Sequence, residues 1–489
     1  MIGQAQDAQR QRDEARIELA AETAKSNDQR DPNRERKLAA EMRDAGAKAD
    51  ALVKRITTEF PDYSKFADPG PVELANLRNA LRTNEAFLSF VIGQKSSFAL
   101  LVTSKGLTAS PLPVTSASLA GDVEELRSAF VPRLGQLPDF DLRASYELYR
   151  KLIGPFANEL TGIDHLFVAP AGALASLPFA VLVTEPPRPD AARAYSRAAW
   201  LIREVALSQV PSARAFLSLR GESEGISHAP RPLLVIADPD LSGTGTASTG
   251  AKAVSALADR CRNNGPIAGD LLRALPPLHE TANEARSIAR LVGTGDDALL
   301  LGRQATEIAL RAKPLDQYAI LYFATHGLLP DELHCLSEPG LVLSPPASPA
   351  RTTQEDGLLE ASEIAQLKLN ADLVVLSACN TAVSGGLFGG EALAGLADAF
   401  FNAGARTVLA SHWEVPSLAT VKLMTGIFER SGRAGGIAQS LRDAQLSLIA
   451  DPSTAHPFNW GAFSVIGDGT AASALKPMSQ RDAGKRSAL

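Results

Sequence analysis

YAILYFATHG (318–327) and DLVVLSACNT (372–381) decide how this chain is read. Each is a near-continuous apolar run about one strand long, and each stops on a reactive side chain, His326 in the first and Cys379 in the second. Runs without polar alternation are the mark of strands buried on both faces, as in a parallel sheet with helices on either side. Similar runs recur at HLFVAP (165–170), PLLVIADP (232–239), RTVLASHW (406–413) and AFSVIG (462–467). Amphipathic stretches at 280–292, 304–313, 391–403, 416–431 and 436–450 are predicted helices between them. The alternation predicts an α/β fold, a mainly parallel sheet covered by helices on both faces.

Outward from this core the text changes. FPDYSKFADPGPVELANLRNAL (60–81) reads as a Pro-punctuated loop and then a helix. AFLSFVIG (86–93) and SSFALLVTSKG (96–106) read as paired strands with a second turn at Ser104–Gly106, and more helix follows to about residue 160. Residues 57–160 are therefore an α+β lead-in. Of the first 56 residues, 23 are Asp, Glu, Lys or Arg, and the only apolar stripe is weak (Leu38, Met42, Ala45, Ala49, Leu52, Ile56). That is a charged helical arm, which Pro32 is predicted to break into two pieces. Two loops interrupt the main region, 241–254 and the Pro/Ser/Thr stretch 344–357. The expected organisation is an arm at 1–56, the lead-in at 57–160, the sheet domain at 161–470 and an unstructured tail at 471–489.

Composition narrows the function. Of 489 residues, 45% are hydrophobic and 21% charged, which excludes wholesale disorder. A net charge of -6 does not indicate nucleic acid as a partner. Three cysteines in so long a chain (Cys261, Cys335, Cys379) fit a reducing, cytoplasmic setting. No apolar run approaches the roughly 20 residues of a membrane span.

In open α/β sheets, ligands bind outside the carboxyl ends of the strands. A thiol and an imidazole ending neighbouring parallel strands would share one crevice. A free thiol, with a pKa of about 8.5, gains from such an imidazole when it must act as a nucleophile. Gly327 permits close approach of substrate, and its N–H with that of Cys379 would hold an oxyanion. Glu391 opens a predicted helix, where a carboxylate either caps or serves as a substrate-pocket acid. Asp331, His412 and Trp413 are further candidates for the pocket, with packing the alternative for the last two. The loop GGLFGGEA (385–392) lacks the G-K-[ST] ending of a phosphate cradle. His326, His334 and Cys335 fit no standard zinc spacing, so neither metal nor cofactor is expected. An α/β hydrolase acting on small esters or amides is disfavoured by the absence of a G-x-S-x-G elbow.

The segments YFATHG and LVVLSACNT, followed by GGEALAGLADAFFNAGARTVLASHWEV, resemble the CHAT domain, a bacterial caspase-like peptidase domain often found behind tetratricopeptide repeats. The resemblance extends over most of 57–467 and includes FVAPAGALASLPFAVL, the stretch at 200–217 and LPPLHETANEARSIARL. It implies a caspase-like fold and a cysteine endopeptidase acting on a protein substrate, with His326 as general base and acid, Cys379 as nucleophile and Gly327 as oxyanion donor. It implies no metal and no third orienting acid. It also implies regulation, in bacterial defence or signalling, by the N-terminal helical element, an activating protein or a helical-repeat partner. The alternative is a non-catalytic scaffold or sensor module of the same fold. Where relatives carry an acidic residue after the strand RTVLASHW, this chain has Pro416-Ser417.

Overall fold

The computed structural model describes residues 31–59, 72–132, 136–188, 194–223, 227, 229–241, 269–328, 336, 338–347, 350, 352–377, 389–413, 415, 417–430 and 436–470, with residues 12, 15, 19 and 22. Cys379, Asp331, the tail 471–489 and most of the 241–254 loop lie outside the described residues. The chain divides into two compact units, Met1–Pro69 and Gly70–Leu489.

In the first unit, helix α1 (Pro32–Glu59) begins at the proline expected to break the arm. Pro32 takes the first helical position, where its missing N–H would have no partner in any case. Asp31 caps the turn, its Oδ1 accepting from the N–H groups of Asn33 at 2.9 Å and Arg34 at 3.3 Å.

The second unit is built on one large sheet. Its strands are β1 (Glu85–Ile92), β2 (Ser97–Thr103), β3 (Gly106–Leu112), β4 (His165–Ala169), β5 (Ala206–Gln209), β6 (Arg231–Pro239), β7 (Leu299–Gly302), β8 (Tyr318–Ala324), β12 (Leu373–Leu376), β13 (Thr407–Ser411) and β14 (Phe463–Gly467). A second, small sheet holds β9 (Gly327–Leu328), β10 (Gly340–Val342) and β11 (Leu358–Glu360). The large sheet has 11 strands in the order β3-β2-β1-β4-β5-β14-β13-β12-β8-β6-β7. Pairing is parallel from β1 through β4 and β5 to β14, and again from β13 through β12, β8 and β6 to β7. These two blocks meet antiparallel at β13–β14, and the β1–β2–β3 meander is antiparallel at one end. Strands from the lead-in and from the later region thus share one hydrogen-bonded sheet.

The longer helices of this unit are α2 (Leu74–Ala80), α3 (Ser116–Ser128), α4 (Leu142–Leu152), α5 (Ala213–Ser223), α6 (His279–Val292), α7 (Gly389–Ala403), α8 (Ser417–Glu429) and α9 (Gly436–Ala450). They cover both faces of the sheet, as the unbroken apolar strands require. All seven residues of β8 are buried. Its alternate residues Ile320, Tyr322 and Ala324 share a core with Ile288 of α6, Leu423 of α8 and Leu441 of α9. Phe323 points the other way and packs on Phe400 of α7, ring centroids 5.5 Å apart. At the far end, Phe87 and Phe167 pack on Leu77 of α2 and Phe216 of α5. Helix α6 stops at Gly293, whose φ of 79° is the left-handed C-cap conformation that glycine adopts without strain. No helix among the described residues is long and apolar enough to cross a membrane.

Candidate active site at the carboxyl edge of β8

His326 sits where the chain leaves the large sheet and enters the small one. Strand β8 ends at Ala324 and β9 begins at Gly327, so two residues make the passage. Both are fixed by β10. The N–H of Val342 donates to the carbonyl of His326 at 2.8 Å, and Thr325 Oγ1 donates to the carbonyl of Val342. His326 is 5% exposed, and its Nε2 lies 2.7 Å from the carbonyl oxygen of Pro276. A carbonyl only accepts, so Nε2 carries the proton and Nδ1 is the basic nitrogen of the neutral ring. Burial pushes the His326 pKa down, partly offset by the Pro276 carbonyl and the charge of Glu280. The imidazole is therefore neutral at pH 7 and able to accept a proton through Nδ1.

Pro276 is held in turn by apolar packing. Leu271, Leu272 and Leu275, just ahead of it, share a small core with Leu328 of β9, Val342 of β10 and Leu358 of β11. Arg273 adds hydrogen bonds to the carbonyls of Pro345 and Pro346 at 3.2 and 2.6 Å. The carbonyl that orients the ring and the strand that leaves it are thus two sides of one packed cluster.

Gly327 pairs with Leu341 as a non-hydrogen-bonded pair, because the flanking bond runs from Val342 to His326. Its N–H therefore points away from β10, and β9 is the edge of the small sheet.

Strand β12 lies beside β8 in parallel, with Leu373 opposite Ile320 and Leu376 opposite Phe323. The N–H of Ser377 extends the ladder to the carbonyl of Phe323 at 2.8 Å. Beneath both strands, Glu284 of α6 accepts hydrogen bonds from Tyr322 Oη and from Ser377 Oγ, the latter at 3.2 Å. One strand over on the other side, Asp238, next to last in β6, has φ 45°, the single non-glycine left-handed residue among those described. Its N–H donates to Thr281 Oγ1 at 2.9 Å, and its carboxylate lies 3.2 Å from Nδ1 of the exposed His279.

The other expected site residues have different surroundings. His412 is buried, with Nε2 2.9 Å from Ser464 Oγ, and burial followed by the charge of Arg127 pushes its pKa down to about 3. Trp413 is buried, stacks on Phe130 at 3.9 Å and donates from Nε1 to the carbonyl of Phe458 at 2.9 Å. Glu391 lies in the first turn of α7, and its side chain is outside the described residues, as are Cys379 and Asp331. Three features escape sequence reading: the Pro276 carbonyl, Glu284, and the Asp238–His279 pair. The one available signal was that PLLVIADP, like the runs leading to His326 and Cys379, ends a strand at the carboxyl edge of the sheet.

Several known proteins are similar to this chain. Mouse tetratricopeptide repeat protein 28 is 32% identical over 110 residues, which is 22% of this chain and 4% of that protein. Two solved structures of the Saccharomyces cerevisiae separase–securin complex are similar at 10% identity. One has a TM-score of 0.43 and covers 80% of this chain and 30% of that chain. The other has a TM-score of 0.42 and covers 93% of this chain and 37% of that one. This chain thus spans well under two thirds of the length of each. The CHAT domain model matches residues 142–468, about two thirds of the sequence, and the chain belongs to the CHAT domain family.

Proposed function

We propose that the chain is a caspase-like cysteine endopeptidase that cleaves a protein substrate with Cys379 as nucleophile and His326 as base. One observation carries this reading: a buried, neutral imidazole at the carboxyl edge of a parallel sheet, its Nε2–H tied to Pro276 and its Nδ1 left as the basic nitrogen. The register supports it. Strands β8 and β12 pair with an offset of 53 positions, and the same 53 separate His326 from Cys379.

In this mechanism His326 Nδ1 takes the thiol proton as the Cys379 sulfur attacks the scissile carbonyl carbon. The carbonyl oxygen becomes an oxyanion, which accepts a hydrogen bond from the N–H of Gly327. As the C–N bond breaks, Nδ1–H protonates the departing amine and an acyl thioester remains. Water then attacks that thioester with His326 again as base, releasing the carboxylate and restoring the thiol. The Pro276 carbonyl keeps the ring oriented throughout and favours the transient imidazolium. Regulation by the N-terminal helical element or a helical-repeat partner belongs to the same proposal. The match to a protein named for its tetratricopeptide repeats supports it.

Labelling with an electrophilic peptide ketone tests the reading. The expected adduct maps to Cys379 and is absent from Cys379→Ala. An unlabelled Cys379 in a folded chain incubated with a broad ketone library favours a non-catalytic scaffold.

A further inference from the structure

We infer that Glu284 is a positioning residue for the nucleophile, clamping together the exits of the two strands that lead to His326 and Cys379. The inference rests on reading Cys379 as the nucleophile.

Glu284 is 4% exposed on the core-facing side of α6. Its Oε1 accepts from Tyr322 Oη on β8, four residues before His326. The same oxygen accepts from Ser377 Oγ at 3.2 Å, two residues before Cys379. Tyr322 and Ser377 stand on neighbouring strands, and Ser377 is the last described residue before the chain continues to Cys379. One carboxyl oxygen thus joins both catalytic strands to one helix. The segment entering that helix supplies the Pro276 carbonyl that orients the base. So the orientation of His326 and the exit of the nucleophile's strand are set by one element.

Burying a carboxyl under a sheet carries a desolvation cost, which raises the Glu284 pKa while the two hydroxyl donors oppose the shift. The geometry explains what those bonds do. Strand β12 has four residues, and beyond it Ser377 has one backbone bond to β8. The Ser377–Glu284 bond adds a second restraint from beneath the sheet. Nucleophile and base must stay within hydrogen-bond reach, and a misplacement of about 1 Å can cost on the order of 100-fold in rate.

The test uses the full chain with Glu284→Ala, Ser377→Ala, their combination, and Glu284→Gln, whose amide oxygen still accepts from both hydroxyls. Three quantities are read: kcat and KM on one peptide, the rate of Cys379 alkylation by iodoacetamide, and the thermal midpoint. Glu284→Ala and Ser377→Ala are expected to lower kcat about 10- to 100-fold with KM nearly unchanged. They should also slow alkylation severalfold, with the double variant no worse than the weaker single one. Glu284→Gln is expected to retain most of kcat, and it decides the matter together with Ser377→Ala should Glu284→Ala not fold. Unchanged kcat and alkylation in folded variants with a lower thermal midpoint would overturn the inference and leave Glu284 a structural residue. If the parent chain cleaves no peptide, the endopeptidase reading fails and the alkylation arm alone decides. A severalfold fall then upholds the positioning role, and an unchanged rate overturns it.

Discussion

The imidazole of His326 and the backbone carbonyl of Pro276 are locked 2.7 Å apart, so the ring's tautomer is set by a main-chain oxygen. Because a main-chain carbonyl performs this role, the tautomer is set by a group that does not ionise. The carbonyl's position depends instead on the leucine cluster that fixes residues 271–275 against the small sheet.

The first expected outcome concerns the acid limb of catalysis. Burial lowers the His326 pKa below its ordinary 6.5, against the opposing effects of Pro276 and Glu280. The basic form therefore survives below pH 6.5, and kcat/KM should fall only as pH drops through a midpoint beneath that value. A pH–rate profile on a peptide without titrating groups checks this. A limb centred at or above 6.5 would contradict the burial argument.

The small sheet offers a stability test. Glu307 has its pKa raised to about 8, first by desolvation and then by Glu363 and Asp356, against the Gly357 N–H and Arg311. Glu360 and Glu363 nearby are raised to about 7. A carboxyl with a raised folded pKa favours the fold when protonated, so its contribution declines as pH rises from about 4.5 to about 8. Glu307→Gln keeps an acceptor for the Gly357 N–H, which Oε2 now binds at 2.7 Å, and does not titrate. Relative to the parent, its stability should improve by about 1–3 kcal/mol between pH 5 and pH 8. Thermal melts at both pH values measure it, and a constant difference would refute it.

Trp413 tests the packing at the end of β13. Its ring is stacked on Phe130 and its Nε1–H is satisfied by Phe458. Trp413→Ala should destabilise the fold by about 3–5 kcal/mol in urea unfolding, through lost burial and the cavity left behind. A loss below about 1 kcal/mol would mean that the ring is not part of the core.

The strands carrying the candidate site were legible because β8, β12 and β13 are short unbroken apolar runs ending on distinctive residues. Strand β3 was not, since GLTASPL mixes Thr, Ser and Pro in an edge strand with little burial. The strands of the small sheet have two or three residues each, too few to show any period. Its packing nonetheless fixes both sides of His326. The Pro276 carbonyl could not be read at all, because a main-chain atom leaves no residue-type signal. Glu284 looked like any polar residue of an amphipathic helix until the fold turned it inward. Pro32 was read as a break within the arm, and the structure gives that break its form as a capped helix start.

The most direct test of the His326–Cys379 pairing is turnover of one peptide by the parent chain, by Cys379→Ala, by His326→Ala and by the double variant. If the two residues act as one unit, each single substitution lowers kcat by on the order of 10³ or more, and the double variant is no slower than the slower single one. Cleavage by Cys379→Ala at the parent's rate, or independent multiplicative losses in the double variant, would contradict the pairing.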